Sequence, residues 1–156
     1  MGKFAQGAFT PKHPEKYVGN GKPRYRSSWE LHLMMFCDTH PGVVQWASES
    51  IKIPYVNPFT GLRTVYVPDF FIVFVDKNGQ QRAELIEVKP KKETSLEAAG
   101  RSKKAQAAAI LNQAKWQAAN AWAKANGVKF RIMTEDHMFA QGKPPPARQP
   151  KTRRKK

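Results

Sequence analysis

The sequence predicts an α/β fold, a mixed central sheet flanked by helices. Three observations point to it: two apolar, β-branched and aromatic runs on either side of Asn78-Gly79, a long alanine-rich helical pattern after them, and a closing alternation over residues 128–134. At 156 residues and 40% hydrophobic, the chain has room for one compact core with tails and not comfortably for two.

Residues 1–23 are rich in Gly, Pro and Lys without a sustained period, which predicts a basic, flexible N-terminal arm. Order is expected to begin near Ser27-Ser28, where a serine cap precedes apolar Trp29, Leu33 and Phe36 at helical spacing. That helix stops before His40-Pro41-Gly42. Val43 to Ala47 reads as a strand, and Ile51 to Tyr55 as an extended continuation broken by Pro54.

Thr64 to Val75 and Gln80 to Val88 flank the Asn78-Gly79 hairpin signal, both of whose residues tolerate positive φ. Pro90 ends the second run. From Leu96 to Asn126 the pattern is one long helix. Its apolar stripe is read as Leu111, Ala114, Ala118, Ala121, Trp122 and Ala125, and its polar stripe as Gln106, Gln113, Gln117, Asn120 and Lys124. Asn126-Gly127 stops it, and Val128 to Thr134 alternates as a last strand. Residues 24–140 thus form the folded domain. Residues 141–156, with Pro144-Pro145-Pro146, read as a basic disordered tail.

The net charge of +15 is concentrated at the two ends. Residues 1–26 carry six Lys/Arg against one Glu, and 141–156 carry seven with no acid, so the 114 residues between hold only +3. Basic ends around a nearly balanced domain suit a polyanion, because each phosphate neutralised releases a condensed counterion. Lys151, Arg153, Arg154, Lys155 and Lys156 are the candidate DNA contacts. No run is long and apolar enough for a membrane span, and the first residues lack the apolar stretch of a signal peptide, so a soluble protein without a membrane partner is expected. The lone Cys37 excludes an internal disulfide and, among Leu33, Met34 and Phe36, reads as a buried thiol. The four histidines show no metal-ligand spacing, and no Gly-rich phosphate loop is present.

Candidate chemistry centres on Glu87-Val88-Lys89. An acid followed two places later by lysine is expected about once by chance in this composition and occurs once, so its location carries the weight. Strand alternation puts Glu87 and Lys89 on one face with Leu85, and Ile86 and Val88 on the other. If the turn pairs Asp76 with Gly79, Asp69 lies opposite Ile86 and within a residue of Glu87. Two carboxylates and a lysine then meet at the end of an apolar hairpin. Burying them costs several kcal/mol unless they pair or hold a metal. A salt-bridged cluster is the structural alternative.

Pro68-Asp69 at the start of one strand and Glu87-Val88-Lys89 at the end of the next have the form of the PD-(D/E)xK nuclease motif. Two carboxylates facing one point suit Mg2+, with Mn2+ able to substitute; such an ion polarises a phosphodiester while the lysine orients the attacking water. The resemblance implies a restriction-endonuclease-like core and adds the Val88 carbonyl as a third metal ligand. In the subset of these nucleases resembling the transposon endonuclease TnsA and very-short-patch repair enzymes, a glutamate from an early helix joins the site, which would be Glu30. An exposed first-turn glutamate favoured by the helix dipole is the alternative for it. Gln113 and Lys115 are weaker candidates, because some nucleases of this fold place a helix glutamine or lysine near the metal.

A closer resemblance runs from about Tyr25 to Glu135. Arg24 to Glu30, Pro41 to Glu49, Ile53-Pro54-Tyr55, Tyr66 to Phe70, Ile86 to Pro90 and Phe130 to Glu135 look like the head completion nucleases of large contractile-tailed phages. That likeness implies a metal-dependent DNA endonuclease, with Glu30, Asp69, Glu87 and Lys89 catalytic, acting on DNA ends late in virion assembly. It also implies portal or neck proteins as partners, location in the host cytoplasm during assembly, and retention in the virion. Two other functions are open: a non-enzymatic neck or portal adaptor, and a TnsA-like or restriction-type nuclease with a separate recognition protein.

Overall fold

The computed structural model of the protein describes residues 6–134. In chain order its elements are β1 (Gly7–Ala8), β2 (Arg24–Tyr25), α1 (Ser28–Thr39), β3 (Val43–Ser48), β4 (Ile53–Val56) and β5 (Arg63–Tyr66). They continue with β6 (Phe70–Val75), β7 (Gln81–Val88), α2 (Leu96–Ala99), α3 (Lys103–Ala125) and β8 (Lys129–Met133). The central sheet has the order β3-β6-β7-β8, antiparallel except for the parallel β7/β8 pair, so it is mixed as expected. A parallel neighbour needs a crossover, and α2 and α3 supply it.

Alternation along β6 and β7 sorts two cores. Phe70, Ile72 and Ile86 face Leu33, Met34 and the buried Cys37 of α1, together with Trp46 and Met133. Leu85 faces Trp116, Ala119 and Ala123 of α3, with Phe130, Ile53 and Tyr66. The sheet is therefore covered on both faces.

The turn at Asn78-Gly79 differs from the two-residue loop expected. The Asp76 amide donates to the Gln80 carbonyl at 2.8 Å and Gly79 to the Asp76 carbonyl at 2.9 Å, closing a three-residue loop. Only Gly79 takes positive φ, at 80°, and Asn78 does not. The Asp76 carboxylate selects this form by accepting the Asn78 and Gln80 amides at 2.9 and 3.0 Å and Arg82 Nε at 2.6 Å. Pairing shifts by one residue, with Phe70 across from Ile86, so Asp69 falls opposite Glu87 instead of Ile86.

Four other expectations change. The run from Thr64 to Val75 is two strands, because Pro68 interrupts it; β5 leaves to pair with β4 in a separate antiparallel hairpin, and β4 accepts Pro54 because a two-stranded ribbon is all edge. The long helix is broken at Gly100, whose φ of 69° no helix continues. The inward stripe of α3 is Ala109, Asn112, Trp116, Ala119 and Ala123, about one residue out of phase with the stripe read from the sequence. Asn112 can face inward because its amide donates to the Glu93 carbonyl at 3.2 Å.

Residues 6–23, expected as a flexible arm, are packed down. β1 pairs with β2, the Lys12 and His13 amides donate to the Asp38 carboxylate at 2.8 and 2.9 Å, and Phe9 and Tyr17 stack edgewise on Trp46. Asp38 is 1% exposed and Trp46 is fully buried, so the segment completes the α1 core instead of trailing from it. The tail 141–156, with its candidate DNA contacts Lys151, Arg153, Arg154, Lys155 and Lys156, lies outside the described residues. Among the described residues no helix is long and apolar enough to cross a membrane.

Candidate active site

Where β6 begins and β7 ends, the sheet opens into a cleft of about 300 Å³ lined by Glu30, Tyr66, Asp69, Glu87, Lys89 and Lys115, among others. Asp69 sits one residue before β6, past the last ladder pair with β7. Its Oδ2 accepts the Val88 amide at 2.8 Å, locking the two strand ends together. Glu87 is the penultimate residue of β7 and only 6% exposed; the Tyr66 hydroxyl donates to its Oε1 at 2.7 Å. Lys89 Nζ lies 3.6 Å from Glu87 Oε2 and on the same face, as alternation requires.

Glu30 reaches the cleft from the first turn of α1. Ser27 is the cap, accepting the Glu30 amide at 3.2 Å, while Glu30 Oε1 accepts the Arg26 amide at 3.0 Å. Arg26 is held in turn by Glu49, at 2.8 Å from Nη1 to Oε2 and 3.0 Å from Nη2 to Oε1. Glu49 adopts a φ of 51°, a left-handed conformation uncommon for a side-chain-bearing residue, and its amide donates to the Asp69 carbonyl at 3.0 Å. One strained residue therefore ties the Glu30 side of the cleft to Asp69.

The electrostatics are those of an acid surplus. Burial first, and then the Glu87 charge, push the Asp69 carboxyl well above its ordinary range, against the Val88 amide and Lys89. Burial likewise raises Glu87, opposed by the Tyr66 hydroxyl and by Lys89 and Lys115. Glu30 is raised mainly by burial, with Glu49 and Glu87 adding to it. Lys115 is lowered by burial and by Lys89 beside it, and Glu87 and Asp69 pull the other way. Glu30, Asp69 and Glu87 face Lys89 and Lys115 in poor solvent, and the third cation of the cleft, Arg26, is paired with Glu49, so negative charge is left over that a divalent cation would relieve.

Glu30, Asp69, Glu87 and Lys89, expected from the sequence as the catalytic set, line one cleft. Val88, expected as a metal ligand through its carbonyl, lines it too, and its amide is committed to Asp69. Of the two weaker candidates Lys115 is in the cleft, whereas Gln113 is exposed and donates to the Thr94 carbonyl at 2.8 Å. With Trp116 turned inward, Lys115 is carried to the end of the sheet. Tyr66 is the member that sequence reasoning misses, although it stands three residues before Asp69, where a strand end delivers it to the same place.

Among the described residues no three His, Cys, Asp or Glu side chains close on a common point as a metal group. The donor set here is two carboxylates, from Asp69 and Glu87, with backbone carbonyl and water to complete a shell. Hard oxygen donors in that number fit Mg2+, which keeps several waters and takes one or two carboxylates, better than they fit zinc.

Comparison with known proteins adds two findings. Residues 40–135 match the family described as TnsA-like endonuclease N terminal, a span holding Asp69, Glu87, Lys89 and Lys115. Over 146 residues the chain is 36% identical to the head completion nuclease of Enterobacteria phage T4, an alignment covering 87% of this chain and 95% of that protein.

Proposed function

The chain belongs to the TnsA-like endonuclease family, and on that premise we propose that it is a magnesium-dependent DNA endonuclease acting in phage head completion. Its mixed sheet flanked by helices is the restriction-endonuclease-like fold expected of that family. The observation that carries the catalytic reading is the meeting of Asp69, Glu87 and Lys89 in a cleft where both carboxyl groups are raised by burial. Buried like charges are retained at a cost, and phosphodiester hydrolysis gives them a use.

Asp69 and Glu87, with the Val88 carbonyl, would hold Mg2+, with Mn2+ able to substitute, and a metal held there would supply positive charge for the scissile phosphate and a more acidic water. Lys89, half-buried beside Glu87, orients the attacking water and offsets charge that grows on the phosphate oxygens. Glu30, with its raised carboxyl, takes or returns a proton on the α1 side of the cleft. The substrate is DNA, at exposed or packaged ends in the head, with portal or neck proteins as neighbours. The basic residues 141–156 supply added phosphate contacts. The host cytoplasm during assembly, and then the virion, is where such an enzyme would work.

Incubating the pure protein with linear, circular and branched DNA, with MgCl2 or with chelator, tests this reading. Cleavage is expected with magnesium alone, to be abolished in Asp69→Ala, and to be slowed at the chemical step in Lys89→Ala under single-turnover conditions. Equal cleavage in chelator, or by Asp69→Ala, would overturn it.

A further inference from the structure

Tyr66 closes β5 outside the main sheet, yet its side chain points into the end of that sheet. The residue is 5% exposed, and its ring packs edgewise on Phe130 at 6.5 Å among Leu85 and Trp116. Lys115 Nζ stands over the ring, 5.7 Å from its centroid. The hydroxyl donates to Glu87 Oε1 at 2.7 Å with both groups buried.

This bond makes the two oxygens of Glu87 unequal. Oε1 is turned to Tyr66, and Oε2 is the one that faces Lys89 at 3.6 Å. Mg2+ demands near-ideal octahedral geometry with short bonds and accepts a carboxylate through one oxygen. Ca2+ is larger, takes more ligands and often binds a carboxylate through both oxygens. A glutamate with one oxygen already accepting from a buried hydroxyl favours the first mode, because the second would have to share that oxygen between the hydroxyl and the ion.

We propose that Tyr66 is a positioning residue that holds Glu87 as a one-oxygen ligand and thereby biases the centre towards magnesium over calcium. The inference rests on the metal-centre reading above and adds to it which residue sets the choice of ion. In this role Tyr66 acts on the ion through Glu87. Merely filling the core would require only its ring, which phenylalanine keeps.

The test is calorimetric titration of full-length wild type and Tyr66→Phe with MgCl2 and, separately, with CaCl2, in the absence of DNA. Wild type should favour magnesium. In Tyr66→Phe the ratio of magnesium to calcium affinity should fall about tenfold, the scale of one hydrogen bond to a charged group. An unchanged ratio in a folded Tyr66→Phe would overturn the role of Tyr66, while wild type binding neither ion would overturn the metal centre itself. If Tyr66→Phe fails to fold, a crystal structure of wild type with MnCl2 decides. Glu87 on the ion through Oε2 alone, with Oε1 still held by Tyr66, supports the proposal, and two-oxygen binding overturns it.

Discussion

Glu30 Oε1 accepts the Arg26 amide at 3.0 Å, and the Ser27 hydroxyl accepts the Glu30 amide at 3.2 Å, so the Glu30 side chain both closes the box around the Ser27 cap and enters the cleft. These roles can be separated. Glutamine in the third helical position keeps the cap because its amide oxygen still accepts. Glu30→Gln should therefore stay within about 0.5 kcal/mol of wild type in denaturant unfolding. If the charge serves the chemistry, the single-turnover cleavage rate should fall by about 100-fold or more. An unchanged rate would return Glu30 to helix capping alone.

Asp69 is expected to lower stability at neutral pH without metal. Its folded carboxyl is raised by burial and by Glu87, so the folded state holds the proton more tightly than the unfolded chain. The sign follows: its contribution is fully present below the unfolded carboxyl pKa of about 4 and is lost as pH rises through the folded value. Asp69→Asn removes that loss while keeping an oxygen for the Val88 amide. Its melting temperature should exceed that of metal-free wild type near neutral pH and match it around pH 4. A lower melting temperature at neutral pH would show that the carboxylate is balanced by its neighbours.

Asp38 should hold the N-terminal segment. Its carboxylate takes the Lys12 and His13 amides, 26 and 25 residues back along the chain. Asp38→Ala is expected to cost about 1–2 kcal/mol and to open residues 6–23 to limited proteolysis. Digestion no faster than wild type would mean that Phe9 and Tyr17 on Trp46 suffice.

Deleting residues 141–156 removes seven positive charges and no described element. The shortened protein should fold and cleave. Its duplex affinity should weaken, and the slope of log affinity against log salt should become shallower by about 0.9 for each phosphate that the tail no longer neutralises. Identical slopes from titrations at several salt concentrations would show that the tail does not touch DNA, and would favour a protein partner for it.

What the sequence determined by itself was local or periodic. The Ser27 cap, the hairpin around Gly79, the strand end before Pro90 and the shared face of Glu87 and Lys89 each depend on neighbours a few residues apart. Spacing between motifs was also legible, which is why Asp69 and Glu87 could be brought together before any fold was known. The exact register was not, because the Asp76 carboxylate chose between two loops that Asn78-Gly79 permits. The phase of α3 was hidden for another reason: alanines on every side of a helix bury almost equally well, and only Trp116 packing on the sheet, with Asn112 reaching Glu93, sets its rotation. The tertiary structure alone decided that Tyr66 meets Glu87, that Lys115 joins the cleft and Gln113 does not, and that Asp38 captures Lys12 and His13. Each of these pairings joins residues about 20 or more apart in the chain, and their energy exists only once the sheet has fixed the distance between them.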